Sequence, residues 1–156
     1  MTHRSFLLYA DVTRLLYRHL TNLSHTGIDR VNLEYARWVV SQGGSLCAKR
    51  GTRLMWLPLN PWMRLLVEGI QPGDKANNLF RRFILLLRWC TVRKPVERDS
   101  TVLVSTHSWL AKEKTWEWVQ SRDIRAIVFI HDLIPIDFPE YQRPDEKGLH
   151  EVRMRL

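Results

Sequence analysis

Ala126-Ile-Val-Phe-Ile-His-Asp-Leu-Ile-Pro-Ile-Asp-Phe-Pro-Glu-Tyr141 decides how this chain is read. It opens on an unbroken apolar run, rich in β-branched and aromatic side chains. That is the composition of a strand buried on both faces, as in a parallel sheet. A parallel strand delivers whatever lies at its C-terminal end into the ligand crevice of an α/β layer. Here the run gives way within one residue to His131 and Asp132. Pro135 and Pro139 follow and predict a rigid loop in place of a helix.

Working outward, strands and helices alternate. Ser5 to Val12 reads as a first strand with Asp11 at its C-terminal edge. Thr13 to His25 is a basic connection, either a loop or a loop with a turn of helix around Leu15, Leu16 and Leu20. Thr26-Gly-Ile-Asp-Arg-Val31 opens a helix in which Ile28, Val31, Tyr35, Trp38 and Val39 recur as one apolar stripe. Thr26 and Asp29 have capping-box spacing, and Gln42-Gly-Gly44 ends the helix. Ser45 to Lys49 and Arg53 to Leu57 read as short strands around a Gly51 turn. Trp62 to Ile70 suggests a short helix, and Gln71-Pro-Gly-Asp74 a turn.

Leu79 to Val92 is apolar and basic at once. Leu79, Phe83, Leu86 and Leu87 share a face, with Arg81, Arg82 and Arg88 between them. It is either a packed helix with arginines at its rim or a helix lying on an anionic membrane. Thr101 to Ser105 is another buried-type strand, followed by His107 and Trp109. Ala111 to Gln120 reads as a helix, and a last helical pattern begins at Lys147. This order predicts an α/β, Rossmann-like domain over residues 1–156, with a mostly parallel sheet and flanking helices.

Composition narrows the function classes. Hydrophobic residues make up 45% of the chain, enough for a core, so disorder is excluded. A formal net charge of +8 points to an anionic partner: a phosphate-bearing ligand, a membrane surface or nucleic acid. The basic residues are dispersed and no recognition motif is present, so nucleic acid is not expected. Cys47 and Cys90 form no CxxC, which argues against a disulfide framework or a cysteine zinc site. No secretory leader pattern is visible, and no apolar run approaches the ~20 residues of a membrane helix. A cytoplasmic protein touching the inner membrane surface is the expectation.

Two constellations carry chemistry. His131 and Asp132 are the candidate catalytic pair, since histidine can serve as acid, base or hydrogen-bonding group near neutral pH. The plainer alternative is a histidine tucked into its own loop and an aspartate capping a turn. A His-Asp dipeptide also occurs in metal phosphohydrolases, but His107 and His150 are weak candidates for the further ligands, so no metal site is expected. Thr26, Gly27, Ile28, Asp29 and Arg30 are the candidate phosphate-binding segment, because free backbone N–H groups at a helix start favour an anion. Alone, they read better as an ordinary capped helix start. Trp116 and Trp118 are two residues apart and cannot share a helix face, so core and rim packing explains them better than a sugar platform does.

Taken together, Asp11-Val-Thr-Arg-Leu15, Thr26-Gly-Ile-Asp-Arg-Val31 with Glu34-Tyr-Ala-Arg37, and Val128-Phe-Ile-His-Asp-Leu-Ile-Pro135 with Phe138-Pro-Glu-Tyr141 resemble the N-terminal half of a family 4 glycosyltransferase. The resemblance implies a GT-B fold, in which two Rossmann-like domains face each other across a cleft. It implies retaining transfer of a sugar from a nucleotide-sugar donor to a saccharide or lipid-linked acceptor, with no required metal and no cofactor beyond that donor. Residues 27–30 would lie near the sugar-phosphate end of the donor. His131 and Asp132 would line the cleft by the transferred sugar. The C-terminal donor-binding domain, with its paired glutamates, is missing from these 156 residues. The resemblance therefore implies a fragment or one half of a split enzyme, with the isolated chain inactive. The alternative is a non-catalytic Rossmann-like binding module.

Overall fold

A computed structural model describes residues 7–59, 75–107 and 109–155, with the backbone alone for 75–79 and 81. The helix expected at Trp62–Ile70 and the turn at Gln71–Asp74 lie outside the described residues. The chain runs β1 (Leu8–Asp11), α1 (Thr13–Leu20), α2 (Gly27–Ser41), β2 (Ser45–Arg50), β3 (Arg53–Leu57) and α3 (Lys75–Thr91). It continues with β4 (Thr101–Val104), α4 (Glu113–Gln120), β5 (Arg125–Val128), α5 (Ile134–Asp137), a 3₁₀ turn (Pro139–Tyr141) and α6 (Glu146–Met154). The five strands form one sheet in the order β3-β2-β1-β4-β5. Every pairing is parallel except the β2–β3 hairpin, where Gly51 takes a positive φ of 61°. The fold is the expected Rossmann-like α/β arrangement.

Period-two alternation divides the apolar strands between two cores. Ala10, Leu46, Ala48 and Leu103 face α1, α2 and α3, together with Leu15, Leu33, Ala36 and Leu85. Tyr9, Cys47, Val102 and Val104 face the other side, with Trp109, Leu110 and Val119. Both faces of the central strands are thereby covered, as a parallel sheet requires. The chain leaves β1 toward β2 and later returns on β1's other side as β4. The crevice outside the C-terminal ends of β1 and β4 is therefore the topological switch point of the sheet.

Several elements differ from expectation. The basic connection after β1 is the regular helix α1, because Leu15 and Leu16 bury against the sheet. The α2 stripe is rotated: Asp29, Asn32, Leu33, Ala36 and Val39 face inward, while Trp38 is 52% exposed. Side-chain bulk did not choose this face. Small Ala36 lets the helix approach the sheet, and Asp29 and Asn32 find buried partners beneath it. In α3 only Leu85 of its described side chains is fully buried, and Phe80, Phe83, Leu86 and Leu87 are exposed. Arg82 points inward and caps the end of α1, donating to Leu20 O at 2.6 Å, so the expected packed face is the outer one.

The strand that opened the sequence reading is not buried on both faces. β5 pairs only with β4, at the end of the sheet, and Ile127, Phe129 and Ile130 are 49%, 37% and 42% exposed. Its apolar run matches a strand covered on both faces, but only one face is covered among the described residues: Val128 packs against the second core, while Ile127 stays open. The prolines beyond it do not hold an irregular loop. Pro135 lies in the first turn of α5 and Pro139 begins the 3₁₀ turn, positions where the missing N–H costs nothing.

Gly43 and Gly44 close α2 as the sequence predicts. Gly43 has a φ of 77°, Gly43 N donates to Val40 O and Gly44 N donates to Val39 O, which is a Schellman motif. Gly44 also passes directly against β1. A Cβ there would lie 2.7 Å from Leu8 O and 2.6 Å from Val39 Cγ1. Gly44→Ala should lower stability by ~1–3 kcal/mol through overpacking against backbone. Gly27→Ala, where an added Cβ meets nothing within 4 Å, should stay within about 1 kcal/mol of the unmodified chain. Equilibrium urea denaturation of both variants checks the pair.

Candidate functional site

The site is built at the C-terminal ends of β1, β4 and β5. The carboxylate of Asp11 ends β1 with no solvent exposure. Its Oδ1 accepts from Thr13 N at 3.0 Å and from Thr13 Oγ1, and its Oδ2 accepts from Trp109 Nε1 at 2.7 Å. Burial pushes the carboxyl above its usual range, partly offset by those hydrogen bonds and by the charge of Lys49. Thr13 Oγ1 accepts in turn from Lys49 N at 2.8 Å, which ties the start of α1 to β2.

Beneath α2, Asn32 Nδ2 donates to Asp11 O at 2.9 Å and to Ser105 Oγ at 2.6 Å. It thereby bridges the ends of β1 and β4. The carbonyl of Ser105 is bonded to His131 Nε2 at 2.8 Å. Rings continue the connection. Tyr35 lies 5.6 Å from Phe129, which meets His131 edge-on at 4.9 Å. The helix start at Thr26–Arg30 and the residues after β5 therefore belong to one assembly, joined through Asn32 and Tyr35 of α2.

The five residues of that helix start have different roles. Thr26 N and Oγ1 both donate to Asp29 Oδ2, at 2.7 and 2.8 Å. Arg14 Nε donates to Asp29 Oδ1 at 2.7 Å, and Arg18 Nε lies 2.9 Å from Oδ2. Burial alone would raise the Asp29 carboxyl, but Thr26 and Arg14 outweigh it and hold it below the usual range. With its oxygens so engaged, Asp29 anchors the helix start and is not turned toward a ligand. Gly27 and Arg30 are exposed and Ile28 is half-buried. Arg30, Val31, Glu34, Tyr35 and Trp38 line an open apolar groove of about 580 Å³. Of the stripe expected to face the core, Val31, Tyr35 and Trp38 line this groove instead, while Val39 packs in the core.

The candidate pair after β5 is also divided. His131 is half-buried, whereas Asp132 is exposed and its Oδ1 accepts from Ile134 N at 3.1 Å, capping the turn into α5. Two histidines set aside in the sequence reading join them. His107 stacks edge-on against His131 at 5.8 Å and against His150 at 5.1 Å. His150, from α6, is buried, and its Nε2 is bonded to Asp132 O at 3.2 Å. Among the described residues, no three His, Cys, Asp or Glu side chains are placed to hold a metal ion. Cys47 is buried, Cys90 is exposed, and both are free.

His107 was set aside as a weak metal ligand, and Asn32 was missed because nothing local marks it. Asn32 sits among apolar helix residues, and only a polar side chain at a core-facing position hints that it has a buried partner. Asp11 was visible at the end of the first strand, but its partner Trp109 is 98 residues away.

Burial lowers the imidazole of His107 from 6.5 to about 4, aided by the charges of Arg153, His150 and His131. Burial likewise lowers His19 to about 4, aided by His25 and Arg82. Between these values the unfolded chain binds protons that the folded chain refuses. Stability is thus fully present above pH 6.5 and falls as the pH drops toward 4. Asp11 acts with the opposite sign, because its raised carboxyl binds a proton more readily in the fold. His107→Gln and His19→Gln should each flatten the loss of stability between pH 6.5 and 4.5, as read by urea denaturation across that range.

No protein-family model, no curated protein and no solved structure matches the chain, so the site stands on its own geometry.

Proposed function

We propose that the chain is the acceptor-side domain of a family 4 glycosyltransferase, engaged in retaining transfer of a sugar from a nucleotide-sugar to a saccharide or lipid-linked acceptor. One observation carries this proposal. Asn32 joins the ends of β1 and β4, and Ser105 in turn holds His131, so the helix with the anion-favouring start and the imidazole are tied together at the switch point.

These groups suit a sugar phosphate. The backbone N–H groups in the first turn of α2 favour an anion, and the open space at Gly27 permits close approach. The exposed guanidinium of Arg30 can pair with phosphate in bidentate fashion. His131 would hydrogen-bond a hydroxyl of the reacting sugar. Asp132 keeps one oxygen beyond its turn-capping bond to orient that sugar or a neighbouring loop. As the bond from the anomeric carbon to phosphate breaks, negative charge grows on the departing oxygen, where helix N–H groups and Arg30 stabilise it most. Nucleotide contacts would come from a second domain or a separate C-terminal half.

The outer face of α3 suits a lipid-linked acceptor. Phe80, Phe83, Leu86 and Leu87 are exposed beside Arg88, and the chain carries a formal charge of +8. A basic helix with an apolar face settles at the boundary of an anionic bilayer. Among the described residues, no helix is long and apolar enough to cross a membrane. The proposal therefore includes a cytoplasmic protein held peripherally on the inner membrane. One observation favours the alternative of a non-catalytic binding module: the uncovered apolar residues of β5 and the outer stripe of α2 would suit a protein partner.

Two measurements test these readings. Titrating the ¹⁵N-labelled chain with glucose 1-phosphate should move backbone resonances at Gly27–Arg30 and His131–Asp132, and Arg30→Ala should weaken the response about tenfold or more, the loss of one charge-assisted bond. Shifts confined to other residues would favour the binding module. In vesicle co-sedimentation, the chain should pellet with phosphatidylglycerol-containing vesicles and not with pure phosphatidylcholine. The double variant Phe83→Ser/Leu87→Ser should stay in the supernatant, and equal pelleting would remove the membrane contact.

A further inference from the structure

The partners of His131 determine which of its nitrogens carries the proton. A backbone carbonyl can only accept, so the bond from Ser105 O must run to a protonated Nε2. A neutral imidazole then bears its lone pair on Nδ1. Among the described residues Nδ1 has no hydrogen-bond partner, and it is not one of the buried orphan atoms, unlike Nε2 of neighbouring His107. His150 provides an internal comparison. Its Nε2 meets Asp132 O, and its Nδ1 accepts from Arg153 Nη1 at 3.4 Å. The lone pair of His150 is occupied, whereas that of His131 is available.

The position of the Ser105 carbonyl is what fixes His131, and strand pairing does not fix that carbonyl. The β4–β5 ladder ends at Val104 and Val128. Beyond it, Ser105 is held by its hydroxyl, which takes one of the two donor bonds of Asn32. The other donor bond goes to Asp11 O, so the amide cannot turn over. Asn32 Oδ1 is left buried without a partner, and Asn32 is only 1% exposed. Buried acceptors are rarely left unpaired. An apolar residue of similar shape would avoid the defect, so the amide is explained by its two donor bonds.

We propose that Asn32 is a positioning residue for His131: through Ser105 it holds the imidazole as the Nε2–H tautomer, with Nδ1 presented to a ligand hydroxyl. His131 then accepts a hydrogen bond and does not donate one, which selects polyols over carbonyl or anionic groups at that point. The tautomer follows from the geometry alone. The polyol ligand rests on the sugar-transfer proposal.

The test is a two-bond ¹H–¹⁵N correlation spectrum of the histidine-labelled chain above pH 8, where imidazoles are neutral. His131 should give the pattern of a single Nε2–H tautomer in the unmodified chain. In Asn32→Leu and in Ser105→Ala, which keeps the carbonyl and loses the tether, that pattern should give way to averaged tautomers while His150 is unchanged. Should Asn32→Leu fail to fold, Ser105→Ala carries the test. An Nδ1–H or averaged pattern in the unmodified chain would overturn the proposal, as would an unaltered pattern in a folded Ser105→Ala. Addition of glucose 1-phosphate should then shift the His131 Nδ1 resonance. A fixed tautomer with no response anywhere to the sugar phosphate would remove the polyol and the sugar-transfer proposal together and leave the positioning role standing.

Discussion

The buried carboxylate of Asp11 is the constraint around which the open end of the sheet is arranged. An unpaired charge at that depth would cost ~3–5 kcal/mol, so its donors cannot be dispensed with. Thr13 supplies a backbone and a hydroxyl donor and thereby fixes where α1 begins. Trp109 supplies an indole N–H and draws the chain after β4 across the second core. The backbone carbonyl of Asp11 meanwhile receives Asn32, which seats α2. One strand end thus positions the starts of two helices and the loop after the neighbouring strand.

Asp29 has a comparable role at the start of α2. It gathers Thr26, Arg14 and Arg18, and Arg18 also donates to Ser24 O at 3.0 Å. The connection between α1 and α2 is therefore shaped by charge pairing inside the protein. This leaves Gly27 and Arg30, and not Asp29, as the groups of the helix start turned to solvent. A segment that reads as one motif divides into an internal anchor and an external surface.

Among the described residues two apolar surfaces remain uncovered, and they differ in chemistry. The outer face of α3 couples Phe80, Phe83, Leu86 and Leu87 to Arg88, a pattern suited to a headgroup boundary. The edge formed by β5 and the outer stripe of α2 combines Ile127, Ile130 and Trp38 with open strand backbone, a pattern suited to further protein. Both surfaces come from residues whose periodicity alone would place them in a core.

Fold class was legible in the sequence because it rests on local signals. Alternating apolar runs, glycine stops and helix starts depend on nearest neighbours, and the Schellman motif at Gly43–Gly44 needs nothing from elsewhere. The position of His131 at a strand end was legible for the same reason. Which face of α2 turns inward, whether β5 is covered, and what His131 bonds to were not. Each depends on a partner far away in sequence: Asn32 on Ser105, 73 residues distant, and His131 on Ser105, 26 residues distant. Hydrophobic periodicity records that a residue is apolar but not which neighbour covers it. The sequence by itself therefore determined the strands, the helix α2 with its glycine stop, and the end of the sheet at which His131 and Asp132 lie. Only the tertiary structure decided which side chains meet there, because buried polar groups choose a helix face by the partners they find, and those partners are set by packing across the whole sheet.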